Sequence, residues 1–191
     1  MIDVPLIETR NLKKFFSTPK GLLHAVDDIS LSIGTGKTLG VVGESGCGKS
    51  TLGRVMIRLL PATSGEVLYK GENILSYNSV RMKEMRKNVQ IIFQDPYASL
   101  NPRMTVSEII AEPLKVCKIC PDKESLHKKI SELMDTVGLA SRFANTYPHE
   151  LDGGRRQRIG IARALAVSPE FIVCDEPVSA LDVSIQAQIL N

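Results

Sequence analysis

Gly43-Glu44-Ser45-Gly46-Cys47-Gly48-Lys49-Ser50 reads G-x-x-x-x-G-K-S, the spacing of a phosphate-binding loop. Its flanks agree with that reading. Upstream, Thr38-Leu39-Gly40-Val41-Val42 is an apolar run suited to a buried strand. Downstream, Leu52, Val55, Met56, Leu59 and Leu60 recur at helical spacing, which predicts a helix over 51–60. The chemistry follows from this order of strand, loop and helix. Small residues let backbone N–H groups curl around an anion with no Cβ in the way. The helix start aims unpaired N–H groups and a positive dipole end at the same point. Lys49 adds a full charge for β- and γ-phosphates, and the Ser50 hydroxyl, followed by Thr51, suits the magnesium ion that travels with them.

Working outward, the composition is that of an ordinary folded domain. The 191 residues are 43% hydrophobic and 24% charged, which suits one domain, or one with a subdomain, and argues against disorder. A net charge of +3 is too small to imply a nucleic-acid or membrane surface. No apolar run reaches the ~18 residues of a membrane span. Met1-Ile2-Asp3-Val4-Pro5 has neither the basic nor the apolar region of a signal peptide, so a cytoplasmic location is expected. Cys117 and Cys120 have C-x-x-C spacing, but no second pair completes a metal site. Cys174 reads as a small core residue. Cys47 lies at a helix start beside Lys49, so its thiol is expected to alkylate readily and to be shielded by nucleotide.

Taken in order, 7–16 and 24–33 read as strands joined by a turn at 17–21, with a second turn at 34–36. Residues 66–70 read as a strand, 71–73 as a turn, 80–87 as a helix and 89–93 as a buried strand stopped at Gln94-Asp95-Pro96. A helical block covers 105–137, with Gly138 as its stop. A further helix over 155–167 turns Ile159, Ala162, Leu165 and Ala166 inward and its arginines outward. The apolar strand 171–174 ends in Asp175-Glu176-Pro177. Two acids at a strand end, downstream of a phosphate loop, form the second half of a nucleotide site. Asp175 would hold the metal through water, and Glu176 is placed to polarise an attacking water.

A third motif runs from His149 to Leu165, His-Glu-Leu-Asp-Gly-Gly-Arg-Arg-Gln-Arg-Ile-Gly-Ile-Ala-Arg-Ala-Leu. It resembles the signature of the nucleotide-binding domains of ATP-binding cassette (ABC) transporters. That signature, L-S-G-G-Q followed by R-Q-R-x-x-x-A-R-A-L, is matched from Leu151 through Leu165 at all but two positions. Asp175-Glu176-Pro177 resembles the end of the family's Walker B strand, 179–182 its D-loop, and Gln94 its Q-loop glutamine. Phe16 falls where the family stacks an aromatic on adenine. The stretch 93–105 and the phosphate loop are similar to those of the ATP-binding subunits of oligopeptide and dipeptide importers, whose relatives also carry nickel.

The resemblance covers essentially the whole chain and sets expectations. The fold class is α/β: a P-loop NTPase core with a mostly parallel sheet, an N-terminal antiparallel β subdomain and an inserted helical subdomain. The core would take 1–94 and 155–191, and the helical subdomain 95–154. ATP and Mg2+ are the implied cofactors. Glu176, Lys49 and Gln94 are the implied catalytic residues. Ser50, Gln94 and Asp175 would serve the metal. Phe16, residues 43–51, Asp152, Gly153, Gly154 and Asp182 would serve the nucleotide. The implied partners are a second ATPase subunit, identical or paralogous, and a transmembrane permease. Membrane contact would run only through that permease, on the inner face of the cell membrane, and no nucleic acid is implied.

The sequence departs from the family pattern at three places. Asp152 stands for the signature serine and Arg155 for its glutamine. An ionised carboxylate cannot donate to a phosphate, and like unit charges at ~4 Å repel by about 4 kcal/mol at an effective dielectric of 20. Arg155 would offset this by pairing with Asp152 or with the phosphate. The expectation is a signature that supports the partner's ATP poorly. Thirdly, the family's switch histidine follows the D-loop, whereas His24, His127 and His149 all precede Asp175. The chain therefore reads as truncated at its C-terminal end. Two other readings stand beside the importer: a nucleotide-binding but hydrolysis-poor subunit, and a soluble ABC ATPase of DNA repair or translation. The latter carry long coiled coils or tandem cassettes, and neither is visible here.

Overall fold

Two long strands, β1 (Ile7–Thr18) and β2 (Gly21–Ile33), form an antiparallel ribbon with Ile7 opposite Ile33 and Thr18 opposite Gly21. The structure is a computed structural model; it describes residues 4–175, and the chain divides into two compact units, Met1–Val89 and Gln90–Asn191. Both strands of the ribbon run further than their sequence predicts, because cross-strand pairing carries them through to a turn at 19–20. Next comes α1 (Lys49–Met56), which packs on both strands. β3 (Ser64–Tyr69) pairs antiparallel with β1, and β4 (Glu72–Asn73) pairs with β3, giving the sheet order β2-β1-β3-β4. Ile7, Leu12, Val26, Val55 and Val67 make the buried centre of this unit. α2 (Ser79–Asn88) closes it, capped where the Asn78 side chain accepts from the Arg81 amide.

Two expectations fail in this unit. The helix after the phosphate loop stops at Met56 rather than Leu60. Arg58 takes a left-handed φ of 54°. The Arg58 amide bonds to the Val55 carbonyl at 2.9 Å and the Leu59 amide to the Arg54 carbonyl at 2.8 Å. That pair of bonds is the Schellman way of closing a helix, with arginine where glycine is usual. The strain is offset by two further contacts of Arg58 Nη1, to the Ile74 carbonyl at 2.9 Å and the Tyr77 carbonyl at 2.7 Å. Leu59 is left exposed.

The second failure is the stretch 38–42, which belongs to no ladder among the described residues. Leu39, Val41 and Val42 are exposed, Val42 to 97%. A strand has no hydrogen bonds of its own; an apolar run becomes one only against neighbours. No strand of the first unit pairs with it.

In the second unit β5 (Val89–Ile92), which begins at the boundary, lies beside β6 (Phe171–Cys174) as a two-stranded parallel sheet. The Asp175 amide extends the ladder to the Ile92 carbonyl at 2.9 Å. After β5 come the short α3 (Pro96–Ser99), α4 (Val106–Val116), α5 (Lys123–Thr136) and α6 (Gly153–Leu165). α4 starts with a capping box between Thr105 and Glu108, and α5 with one between Asp122 and Ser125. Gly138, at φ 65°, ends α5 as its sequence predicts. Ile109, Ile110, Leu114, Met134, Leu139 and Ile159 pack into one core with Ile92.

Here too the structure corrects the sequence reading. α6 begins at Gly153, two residues earlier, and its arginines do not all face out: Arg156 and Gln157 are buried. Both find backbone carbonyl acceptors inside, which is what makes burial of such groups tolerable. Cys174 is exposed rather than a core residue, and Phe171, Ile172 and Val173 are only half-buried, because β6 has a single strand neighbour among the described residues. Among the described residues no helix is long and apolar enough to cross a membrane.

Candidate functional site

The phosphate loop is built around what it lacks. Gly48 is the N-cap of α1, at φ 99°, and offers no side chain to occupy the helix start. A Cβ there would lie 2.0 Å from the Ala25 carbonyl oxygen of β2, so only glycine lets the loop press against the ribbon. Gly46 also has a left-handed φ, of 79°. A Cβ on Gly43 would meet Cys47 Sγ at 2.7 Å. The Lys49 ammonium folds back over the loop, donating to the Gly43 and Glu44 carbonyls at 2.8 Å each and lying 3.9 Å from Cys47 Sγ. A bare helix N-terminus with a lysine ammonium across it fits the donor set that a nucleotide's phosphates require. Cys47 is exposed.

Phe16 lies on β1 opposite Leu23, two residues along β2 from the Ala25 that touches the loop. It is half-buried, with the Lys14 ammonium 4.8 Å above its ring. Its neighbour Phe15 stacks on His24 at 3.9 Å.

The second unit brings Gln94 and Asp175 to the same end of one sheet. Gln94 follows β5 by two residues and is exposed; Asp175 follows β6 and is buried, its amide held by the Ile92 carbonyl. Beyond Gln94, the Asp95 side chain caps α3 by accepting from the Tyr97 amide at 2.8 Å. Lys49 and Ser50 belong to the first unit. Glu176 and Asp182 lie outside the described residues.

The signature residues gather at the start of α6. Asp152 is the N-cap: its Oδ1 accepts from the Arg155 amide at 2.8 Å. Its Oδ2 pairs with Arg155 Nη1, also at 2.8 Å. The Arg155 guanidinium lies 4.8 Å from the Phe143 ring centre. The two departures from the family pattern thus form one matched unit, in which each side chain holds the other. Gly153 and Gly154 make the first turn, and a Cβ on Gly153 would meet nothing within 4 Å.

Sequence reasoning missed one group of residues. Gln157 Nε2 donates to the Phe93 carbonyl at 3.3 Å, and Arg163 Nη1 to the Ser99 carbonyl at 2.6 Å. Arg156 stacks on Tyr97 at 3.5 Å. The signal was present: Arg156 and Arg163 are seven residues apart, on one face of a helix whose other inward positions are apolar.

Comparison with known proteins bears out the resemblance. The family model "ABC transporter" matches residues 26–179. The oligopeptide transport ATP-binding protein OppF of Bacillus subtilis strain 168 is 59% identical over 187 residues, covering 97% of this chain and 61% of that protein. The Escherichia coli K12 protein of the same name is 50% identical, covering 96% of this chain and 55% of that protein. The chain thus spans a little over half the length of these curated relatives. Among solved structures, the dimeric post-hydrolysis state of the ATP-binding cassette MJ0796 bound to ADP and Pi is similar with a TM-score of 0.90. It is 30% identical and covers 96% of this chain and 79% of that one. Fold and motifs together define a P-loop NTPase of α/β class, with an antiparallel N-terminal subdomain and an inserted helical subdomain. The chain belongs to the ABC transporter family, and its relatives include oligopeptide and dipeptide transport ATP-binding proteins.

Proposed function

We propose that this chain is the ATP-binding and ATP-hydrolysing part of an ABC importer subunit, energising uptake of peptides or a related solute. The observation that carries the reading is the start of α1, where Gly48 leaves the helix end open and Lys49 lies across it. In this reading residues 43–51 cradle the phosphates, and Phe16 stacks on the base. Ser50, Gln94 and Asp175 hold the magnesium ion, which neutralises charge on the β- and γ-phosphates when bound. Gln94 and Glu176 orient the attacking water. Asp152, Gly153, Gly154 and Asp182 serve nucleotide held across a dimer, as the dimeric ADP-bound relative suggests. The nucleotide core comprises 1–94 and 155–191, and 95–154 is the helical part that faces a permease. Binding closes the dimer and hydrolysis reopens it. The subunit works at the inner face of the membrane, held there by the permease alone.

The test is binding and turnover on the full chain with its partner subunit. Mg-ATP is expected to bind and to slow iodoacetamide labelling of Cys47. Lys49→Ala is expected to remove that protection and cut turnover by roughly 10²–10³-fold. Equal labelling with and without Mg-ATP in a folded chain overturns the reading. Binding and protection without turnover marks a hydrolysis-poor subunit instead.

A further inference from the structure

Arg156 has no role in the site described so far, yet it is the most thoroughly buried arginine of the second unit, at 4% exposed. Burying a guanidinium is costly unless its donors are met. Nε donates to the Pro148 carbonyl at 2.6 Å, and Nη2 to the His149 carbonyl at 3.5 Å. Nη1 has no hydrogen-bond acceptor among the described residues. The remaining face lies on the Tyr97 ring, 3.5 Å from its centre. No carboxylate partners it among the described ion pairs. A methionine would fill the same volume without a charge to desolvate, so packing alone does not account for this residue.

The three partners define what it joins. Tyr97 belongs to α3, three residues beyond Gln94. Pro148 and His149 lie in the turn that leads into Leu151 and Asp152. Gln157 and Arg163, on the same helix, hold the main chain at Phe93 and Ser99, either side of Gln94. Those two bonds anchor the segment 93–99 to α6. Arg156 also reaches the turn at 148–149.

We propose that Arg156 is a positioning residue: its planar guanidinium, held between the Tyr97 ring and the Pro148 and His149 carbonyls, makes the Gln94 segment and the signature turn move as one body. A rigid, flat group with acceptors on one edge and an aromatic ring on its face transmits displacement, where a flexible aliphatic chain would absorb it. The consequence for catalysis rests on the ABC ATPase reading. Gln94 and the signature would then be set together, so that the geometry at one ATP reports the position of the segment at the other end of the tie.

Hydrogen exchange on the full chain tests the coupling without any need for turnover. Tyr97→Leu removes the ring at a residue 67% exposed, where misfolding is not expected. It should raise exchange not only in 94–101 but also in 147–153, roughly fivefold to tenfold, with α5 unchanged. Arg156→Met should do the same, and the double variant should add nothing to either single change. Exchange raised by Tyr97→Leu in 94–101 alone, or fully additive effects, overturns the proposal. If Arg156→Met does not fold, the Tyr97→Leu profile decides alone. In turnover, Tyr97→Leu should lower kcat while leaving the KM for ATP within about twofold, since the phosphate loop is untouched. A joint exchange response to Tyr97→Leu in a protein whose wild-type chain hydrolyses no ATP sinks the functional reading and leaves the coupling intact.

Discussion

α1 and α6 both begin at a glycine-rich turn, and they finish that turn in opposite ways. α1 leaves its N-cap empty: Gly48 has no side chain, and the Lys49 ammonium rests on loop carbonyls. α6 fills its N-cap with Asp152, which satisfies one backbone amide and one guanidinium within the chain itself. The first arrangement gives the amides of the helix start no side-chain cap. The second meets one of its amides with the chain's own carboxylate. One helix start therefore forgoes a side-chain cap, as the proposed phosphate site requires, and the other is stabilised by one.

The comparison also revises the charge argument. Repulsion of about 4 kcal/mol between Asp152 and a phosphate assumes an unpaired carboxylate. Asp152 is instead paired with Arg155 at 2.8 Å and both side chains are about half exposed. Solvent-screened pairs of this kind are worth about 0–1 kcal/mol. In the proposed dimer the penalty on a partner's ATP would then be a few-fold in rate rather than several orders of magnitude.

Three experiments sharpen the contrast. The largest effect is expected at Gly48→Ala. Its left-handed φ costs an alanine roughly 1–3 kcal/mol, and the new Cβ collides with the Ala25 carbonyl 2.0 Å away. Mg-ATP affinity, measured by calorimetry, should fall by about a hundredfold or more as the loop is displaced. Unchanged affinity would mean that the bare helix start is incidental. Next, Asp152→Ser combined with Arg155→Gln should raise the ATPase rate of the assembled complex by roughly two- to fivefold. A rate that stays level or falls would show that the matched pair serves the partner's nucleotide as well as the serine does. The smallest effect is on stability. Asp152→Ala removes the cap of α6 and should cost about 1 kcal/mol, or about 2–4 °C in Tm. Asp152→Asn keeps a capping oxygen and should lose only a fraction of that in urea unfolding. Equal losses would assign the stability to the ion pair instead.

Much of this was legible in the residues. The G-x-x-x-x-G-K-S spacing and the Gly138 stop are local, and short-range spacing reports them; the capping boxes at Thr105 and Asp122 are just as local, yet the sequence reading did not draw them. The departures are equally instructive. Residues 38–42 have the composition of a buried strand, but a strand depends on neighbours far away in the chain. Leu59 and Leu60 continue a helical pattern that Arg58 breaks because two distant carbonyls, of Ile74 and Tyr77, hold it. Arg156 is expected to face solvent from its charge alone, because the Tyr97 ring that covers it lies far away in the chain.

Local order alone, then, was enough to point to a candidate phosphate-binding turn: a glycine turn, a lysine and a helix start are set by residues within a few positions of each other, and steric limits on φ leave little choice. The tertiary structure alone decided which charged groups are spent on holding the protein together. Whether Asp152 faces a phosphate bare or already paired, and whether Arg156 meets solvent or a tyrosine ring, depends on where distant segments pack, because an electrostatic interaction is set by distance and solvent exposure, not by separation along the chain.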